Sequence, residues 1–473
     1  MKRITLLLLS IVSQVASVSA QGQLWGIADA GGANAVGTIF KINTDGSGYQ
    51  AAYSFLSATG CSPHGRLLRA TDGMFYGTTQ VGGTNNIGVV YRFNPYNGGY
   101  TVLHNFSGGD GKKPYRSALI QATNGLLYGV TEEGGANNVG VIFSIDPTTG
   151  LFTKLYDFAG TGGKNPRSGL VQITPTKLIG TTYYGGSNYD EGLLYSFNIA
   201  DSSYNVLREF NPYYEGSYPL ANLFMGLDGR IYGSLSIDTS GTTSWIFSVD
   251  TAGGSFRDCC YLDGTTGLQI MADVIQAPDG KLYGTGHQGG TLGKGTVFSA
   301  DTGAAGQLCT ALHSFNDTLG TSGAGGVMVG SDGFLYGLAT YGGDFSLTAG
   351  FGGGVLYRID TSGANFTVLH VFNGVTGYNP WGSLIETEVI LGLEEQSIAQ
   401  EVSVFPVPSN GEITVKAEVP IDKLWVYAVD GRLVQEVIGE QEQLVLRMFT
   451  PGMYILRIQA EKQTVFKRCL IAN

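Results

Sequence analysis

Leu119-Ile120-Gln121-Ala122-Thr123-Asn124-Gly125-Leu126-Leu127-Tyr128-Gly129 is one pass of a pattern that recurs along most of the chain. Its closing triplet returns as Leu24-Trp25-Gly26, Phe75-Tyr76-Gly77, Leu178-Ile179-Gly180, Ile231-Tyr232-Gly233, Leu282-Tyr283-Gly284 and Leu335-Tyr336-Gly337, with the glycines 51, 52, 51, 53, 51 and 53 residues apart. A period of this size marks a repeat architecture, in which each unit buries its apolar face only by stacking on its neighbours.

Superposing the units gives four extended segments. Segment a is the apolar pair Leu67-Leu68, Leu119-Ile120, Leu170-Val171, Leu223-Phe224, Val274-Ile275, Val327-Met328 or Leu384-Ile385, each preceded at two residues by Gly, Ser or Ala. Segment b is the glycine-terminated triplet, always 10 residues after the start of a. Most units place Asp-Gly or Asn-Gly between them, which predicts an antiparallel hairpin with a two-residue turn at positive φ. Segment c alternates around an aromatic (Phe40, Tyr91, Phe143, Tyr195, Phe247, Phe298, Tyr357), and segment d ends on Phe55, Phe106, Phe158, Phe210, Tyr261, Phe315 and Phe372. Both read as strands.

The first unit lacks its a segment, and an unaccompanied a segment, Pro380 to Ile385, follows the last one. Together they make one complete unit, which predicts a ring closed between the two ends, with no exposed sheet edge. The fold class expected is all-β: a seven-bladed β-propeller followed by a small Ig-like β-sandwich. The d-to-a and b-to-c loops then share one face, where ligand sites are expected. Most b-to-c loops carry a Gly-Gly pair, read as repeated tight turns; the fifth unit lacks it.

The segment series resembles the GloVer tandem-repeat family of bacterial surface proteins, over residues 23 to about 386. That resemblance implies no common biochemical activity.

Composition agrees with a strand-rich exported protein. There are 73 glycines, only 14% charged residues and a net charge of −11, which excludes nucleic acid as an expected partner. Residues 1–20 read as a signal peptide, with Lys2 and Arg3 before an apolar run and small residues Val18 and Ala20 ahead of the cleavage point. No later stretch is long and apolar enough for a transmembrane helix. Five cysteines, Cys61, Cys259, Cys260, Cys309 and Cys469, show no metal spacing; a vicinal bridge between Cys259 and Cys260 and unpaired, partly buried thiols both fit the pattern.

After the repeats of residues 21–386, an acidic linker spans 387–400 and a new pattern fills 401–473. Pro406, Pro408, Asn410 and Gly411, then Asp430, Gly431 and Arg432, then Pro451, Gly452 and Tyr454, and finally Lys467 stand at turns between alternating apolar runs, which predicts a small sandwich. This segment resembles the C-terminal sorting domain of type IX secretion, used by Bacteroidota. The resemblance implies that the type IX machinery is a partner and that the protein passes through the periplasm and outer membrane of a Gram-negative bacterium to the surface or medium.

Little in the sequence is catalytic, and no cofactor or metal is expected. His104, His313 and His370 occupy one equivalent position in segment d and read as structural. Loop-face acids Glu132, Glu133, Asp190, Glu191, Asp273, Asp317 and Asp344 are the places a glycosidase pair would sit. Two function classes follow: a surface-displayed binding propeller for glycan or protein, or a secreted carbohydrate-active enzyme. The candidate binding residues are Tyr115, Arg116, Arg167, Tyr378 and Trp381 on the d-to-a loops, with Phe345 and Phe351 on an insertion in the seventh unit, where b-to-c spacing is 20 residues against 14 or 15 elsewhere. Aromatic faces there would stack on sugar rings or on apolar side chains, and arginine would pair with a carboxylate.

Overall fold

A computed structural model describes residues 22–213, 216–236, 240–303, 306–346, 352–388, 403–405, 412–428, 433–447, 452–460 and 463–471. Residues 1–20, read above as a signal peptide, Phe351, and the turn residues Pro406, Pro408, Asn410, Gly411, Asp430, Gly431, Arg432 and Pro451 lie outside them.

Each repeat forms one antiparallel sheet in the order a-b-c-d. The third is representative: Ile120–Gln121, Leu127–Thr131, Val141–Ile145 and Phe152–Asp157. Strand b is buried along its whole length, and the glycine of its triplet has a steric cause. Gly129 lies directly opposite Phe143, and a Cβ there would meet the Phe143 ring at 2.6 Å. The same collision recurs at Gly77 with Tyr91 and at Gly337 with Tyr357. Triplet and segment c aromatic are thus two halves of one packing unit.

The a-to-b hairpins differ from the two-residue turn predicted. In the second sheet Leu68 pairs Tyr76 and Arg69 pairs Phe75, while the Gly73 N–H donates to Ala70 O at 2.9 Å. Gly73 has φ +78, and no positive φ occurs at Asp72. The turn is therefore a longer one with a single left-handed glycine. Its aspartate is used through its side chain, accepting from the Met74 N–H at 2.9 Å and the Tyr76 hydroxyl at 2.6 Å.

Among the described residues the repeats make seven sheets and seven apolar clusters, six of the clusters shared by two sheets that are neighbours in sequence. One cluster unites Tyr336, Leu356 and Phe372 of the seventh sheet with Leu24, Phe40 and Leu384 of the first, so the array returns on itself. The strand Tyr378–Glu388 completes the first sheet, pairing Ile385 with Trp25 and Trp381 with Ile27. It runs two residues into the stretch read as linker.

Neighbouring sheets are also pinned at their outer strands. Tyr53 stacks on Tyr100, His104 on Phe152, Tyr156 on Tyr204, His313 on Phe366 and His370 on Tyr49, with centroids 3.7–4.3 Å apart and planes within 7°. Arg208 takes the same place over Phe256 at 4.2 Å. At the remaining junction, between the fifth and sixth sheets, Cys260 stands where Tyr156 stands in the third: each pairs with the isoleucine before the segment c aromatic. Cys260 is disulfide-bonded to Cys309 across a separation of 49 residues. The vicinal alternative is thereby corrected. Successive residues of a strand diverge, and Cys259 is the extra residue of a bulge, buried with a free thiol. The same register moves the end of segment d in the fifth unit from Tyr261 to the fully buried Leu262. Gln307–Leu308 adds a parallel fifth strand beside the bridge.

The three stacked histidines are structural, as their equivalence predicted. Burial lowers the pKa of each, to about 4 for His370. A histidine kept neutral in the fold takes up protons more readily when unfolded, so its stabilisation is present above pH 6.5 and is lost as pH falls towards 4. With allowance for partial exposure, His370 accounts for about 2 kcal/mol. The thermal midpoint is expected to fall between pH 7 and pH 4.5, and His370→Phe, which keeps the stack on Tyr49, to flatten that decline; an identical profile in the variant would refute the assignment.

The C-terminal strands Ser403–Phe405, Glu412–Ala428, Leu433–Arg447, Gly452–Ala460 and Gln463–Ile471 join in one hydrogen-bonded sheet. Ile413, Val415 and Ala417 are buried at odd positions and Leu424 and Val426 at even ones, across register shifts between Lys416 and Lys423. The bulge thus exchanges the strand's faces, and both halves contribute to a single core with Leu444, Leu446, Tyr454, Leu456 and Ile458. Gly452 opens the strand that pairs with Glu412–Ala428, and Lys467 pairs with Leu456.

Candidate functional site

The residues entering segment a form the site. Six of the seven units follow one formula: a left-handed residue, two further residues, a small residue, one more, then the apolar pair. In the second unit it reads Ser62-Pro63-His64-Gly65-Arg66-Leu67 and in the fourth Asn165-Pro166-Arg167-Ser168-Gly169-Leu170, with Ser62 and Asn165 at φ +53. The third unit, Lys113-Pro114-Tyr115-Arg116-Ser117-Ala118-Leu119, has one residue more. The addition is Arg116, itself left-handed at φ +59.

His64, Tyr115, Arg167 and Trp381 are therefore equivalent residues of neighbouring units, and they touch. His64 meets the Tyr115 ring at 4.9 Å and the Trp381 ring at 5.2 Å, while Arg167 lies 5.9 Å from the Tyr115 centroid and 3.9 Å from that of Tyr183. Arg116 projects inside this arc, 4.5 Å from the Trp381 centroid, and its Nη1 donates to Met271 O at 3.5 Å. With Leu220, Met271 and Ala324 of the opposite units, His64, Arg116 and Trp381 line a central cavity of about 20 Å³, built from six of the seven sheets. That is room for one water molecule and not for a sugar ring.

Below the rim, Asp273 accepts from Arg66 at 3.3 Å, Ser383 at 3.1 Å, and the Asn222 side chain and backbone at 2.7 and 3.1 Å, tying four units together. Other loop acids are similarly engaged: Glu132 by Arg167 at 2.6 Å, Glu133 by Lys112 and Lys113 at 2.6 Å each, Asp190 by Lys164 and Asp317 by Lys294 at 2.9 Å each. The two lysines hold the Glu133 carboxyl below the usual range against the opposing effect of burial. Burial, reinforced by Arg116, pushes His287 down to about 4, so it is neutral at pH 7. Among the described residues no group of three or more metal-ligating side chains occurs, and no helix is long and apolar enough to cross a membrane.

Of the predicted site residues, Tyr115, Arg116, Arg167 and Trp381 come together. Tyr378 does not join them: it pairs with Ala30 and packs on the Gly31 turn. Phe345 is 39% exposed on the inserted loop, whose far end is held by the Asn379 N–H donating to Gly353 O at 2.9 Å. No ring contact joins Phe345 to Trp381 among the described residues. The candidate binding residues did not include His64, which the sequence places on the loop face, or Tyr183; their only signal was their equivalence to, or spacing from, loop residues already chosen. Tyr183 stacks on Tyr218 at 4.9 Å, and beyond them the exposed Tyr189 and Tyr213 meet at 5.9 Å.

An all-β array of four-stranded antiparallel sheets around one cavity defines a propeller-like protein. The Gloeobacter/Verrucomicrobia repeat matches residues 11–191 and 176–400, and the chain belongs to that family. The secretion system C-terminal sorting domain matches residues 403–472, which marks the protein for type IX export to the cell surface or the medium. No curated protein matches the sequence. Similar solved structures include a candidate 6-phosphogluconolactonase of Bacteroides fragilis NCTC 9343 (15% identity, 79% of this chain and 99% of that one, TM-score 0.51) and the periplasmic gluconolactonase PpgL of Pseudomonas aeruginosa (13%, 77% and 99%, 0.51). TolB from Acinetobacter baumannii is matched at 15% identity and TM-score 0.39, over 60% of this chain and 62% of TolB. At such identities the likeness concerns the fold alone.

Proposed function

We propose that the seven sheets are the blades of a closed seven-bladed propeller over residues 21–386, displayed or released by a bacterium of the Bacteroidota, and that its loop face binds a glycan. The C-terminal segment, 401–473, is in this reading an Ig-like sandwich made by folding one bulged sheet over its core, and residues 1–20 are a cleaved signal peptide. The observation that carries the binding function is the aromatic and cationic tract running from Trp381 through Arg116, Tyr115 and Arg167 to Tyr183, with the exposed pair Tyr189 and Tyr213 on loops of the same units. Tyrosine and tryptophan present flat apolar faces with polar edges, suited to sugar rings. The enzyme reading is disfavoured because five of the seven loop acids, Glu132, Glu133, Asp190, Asp273 and Asp317, are already engaged by cations.

A glycan array probed with the exported protein should select a defined set of saccharides, and Tyr213→Ala should weaken their binding about tenfold, roughly 1.4 kcal/mol. Retention of full affinity in Tyr213→Ala and Trp381→Ala alike would remove the face from consideration. Deleting residues 403–473 should leave the protein in the periplasm; its normal appearance at the surface would show that export does not use this tail.

A further inference from the structure

Arg116 stands apart from every other cation of the loop face. Lys112, Lys113, Lys164, Arg167, Arg66 and Lys294 each hold a carboxylate within 3.3 Å. Among the described residues no carboxylate lies within 4.0 Å of Arg116, and its buried Nε has no hydrogen-bond partner. A guanidinium without a counter-ion is costly to hold away from water. A second cost is conformational, because the residue is an unbranched insertion in left-handed backbone, where side chains other than Asn and Asp are uncommon. Six units make the same connection without it. The surroundings suit an anion: Trp381 and Tyr115 present their faces to the guanidinium, and His287, neutral at pH 7, leaves its Nδ1 buried without a partner.

We propose that Arg116 anchors the carboxylate of an acidic saccharide, a uronate, at the centre of the propeller face, with the following sugar rings extending over Tyr115 and Tyr183 towards Tyr189 and Tyr213. The proposal rests on the glycan-binding reading above and names the ligand class. The cavity is too small for a sugar ring, so the carboxylate meets the guanidinium at its mouth while the rings stay above the rim. Arginine suits this role through its planar fork, which a carboxylate meets with two parallel hydrogen bonds.

The test is calorimetric titration of the exported protein with tetrasaccharides of galacturonate, glucuronate and mannuronate, and with their methyl esters. At least one acid form is expected to bind ten times more tightly than its ester. Two variants remove the charge without removing the fold: Arg116→Gly, which suits the left-handed backbone, and deletion of Arg116, which restores the formula of the other six units. Both should abolish the acid's advantage over its ester and hold or raise the thermal midpoint. Equal binding of acid and ester by the wild type, or full affinity for the acid in Arg116→Gly, would overturn the anion site while leaving the glycan-binding face standing. Failure of every saccharide, with a peptide bound through its free C-terminal carboxylate and not as its amide, would overturn both in favour of a protein ligand.

Discussion

Deleting residues 379–386 is expected to turn a single cooperative unfolding transition into a broad one beginning about 10 °C lower. The segment is the inner strand of the first sheet, and without it the edge of Gly22–Ala30 loses its ladder. Leu384 leaves the cluster shared by the seventh and first sheets, and Ile385 leaves the one shared by the first and second. Glu386 no longer accepts from Ser331 N and Oγ at 2.7 and 2.8 Å, a tie between the first and seventh sheets. Together these are worth roughly 5 kcal/mol or more, and in a protein of this size each kilocalorie moves the midpoint by about 2 °C. Calorimetry and limited proteolysis read the result. An unaltered sharp transition would mean that the ring does not depend on its closing strand.

Replacing both Cys260 and Cys309 by serine is expected to cost about 4 kcal/mol, the loop-closure value for a 49-residue separation, and to lower the midpoint by roughly 8 °C. The bridge occupies the junction at which the other outer strands use stacked rings or Arg208 over Phe256. Cys260→His with Cys309→Phe should therefore rebuild the arrangement of His104 and Phe152 and recover about 1 kcal/mol. Thiol counting on the native protein should find Cys61 and Cys259 unreactive, since both are buried. No loss of stability in the double serine variant would show that the fifth and sixth sheets are held by packing alone.

The periodic features were legible in the residues. Strand order, the closing strand, the structural histidines and the face carrying the loops all follow from a spacing that a one-residue slip would destroy, because it would turn every side chain to the other face. The meeting of Tyr115, Arg116, Arg167 and Trp381 was partly legible too, from their common place before segment a. What the chain alone did not reveal depends on contacts across units. The pairing of Cys260 with Cys309 appears only when Cys260 is put in register with Tyr156, and the bulge in segment d hides that register by one residue. The engagement of the loop acids by lysine and arginine, the departure of Tyr378 from the cluster and the isolation of Arg116 are likewise tertiary. Local sequence sets each strand's period through backbone sterics and alternating burial; which charge finds a partner is decided only when residues as distant as Arg66 and Asp273 are brought within 3.3 Å around one cavity.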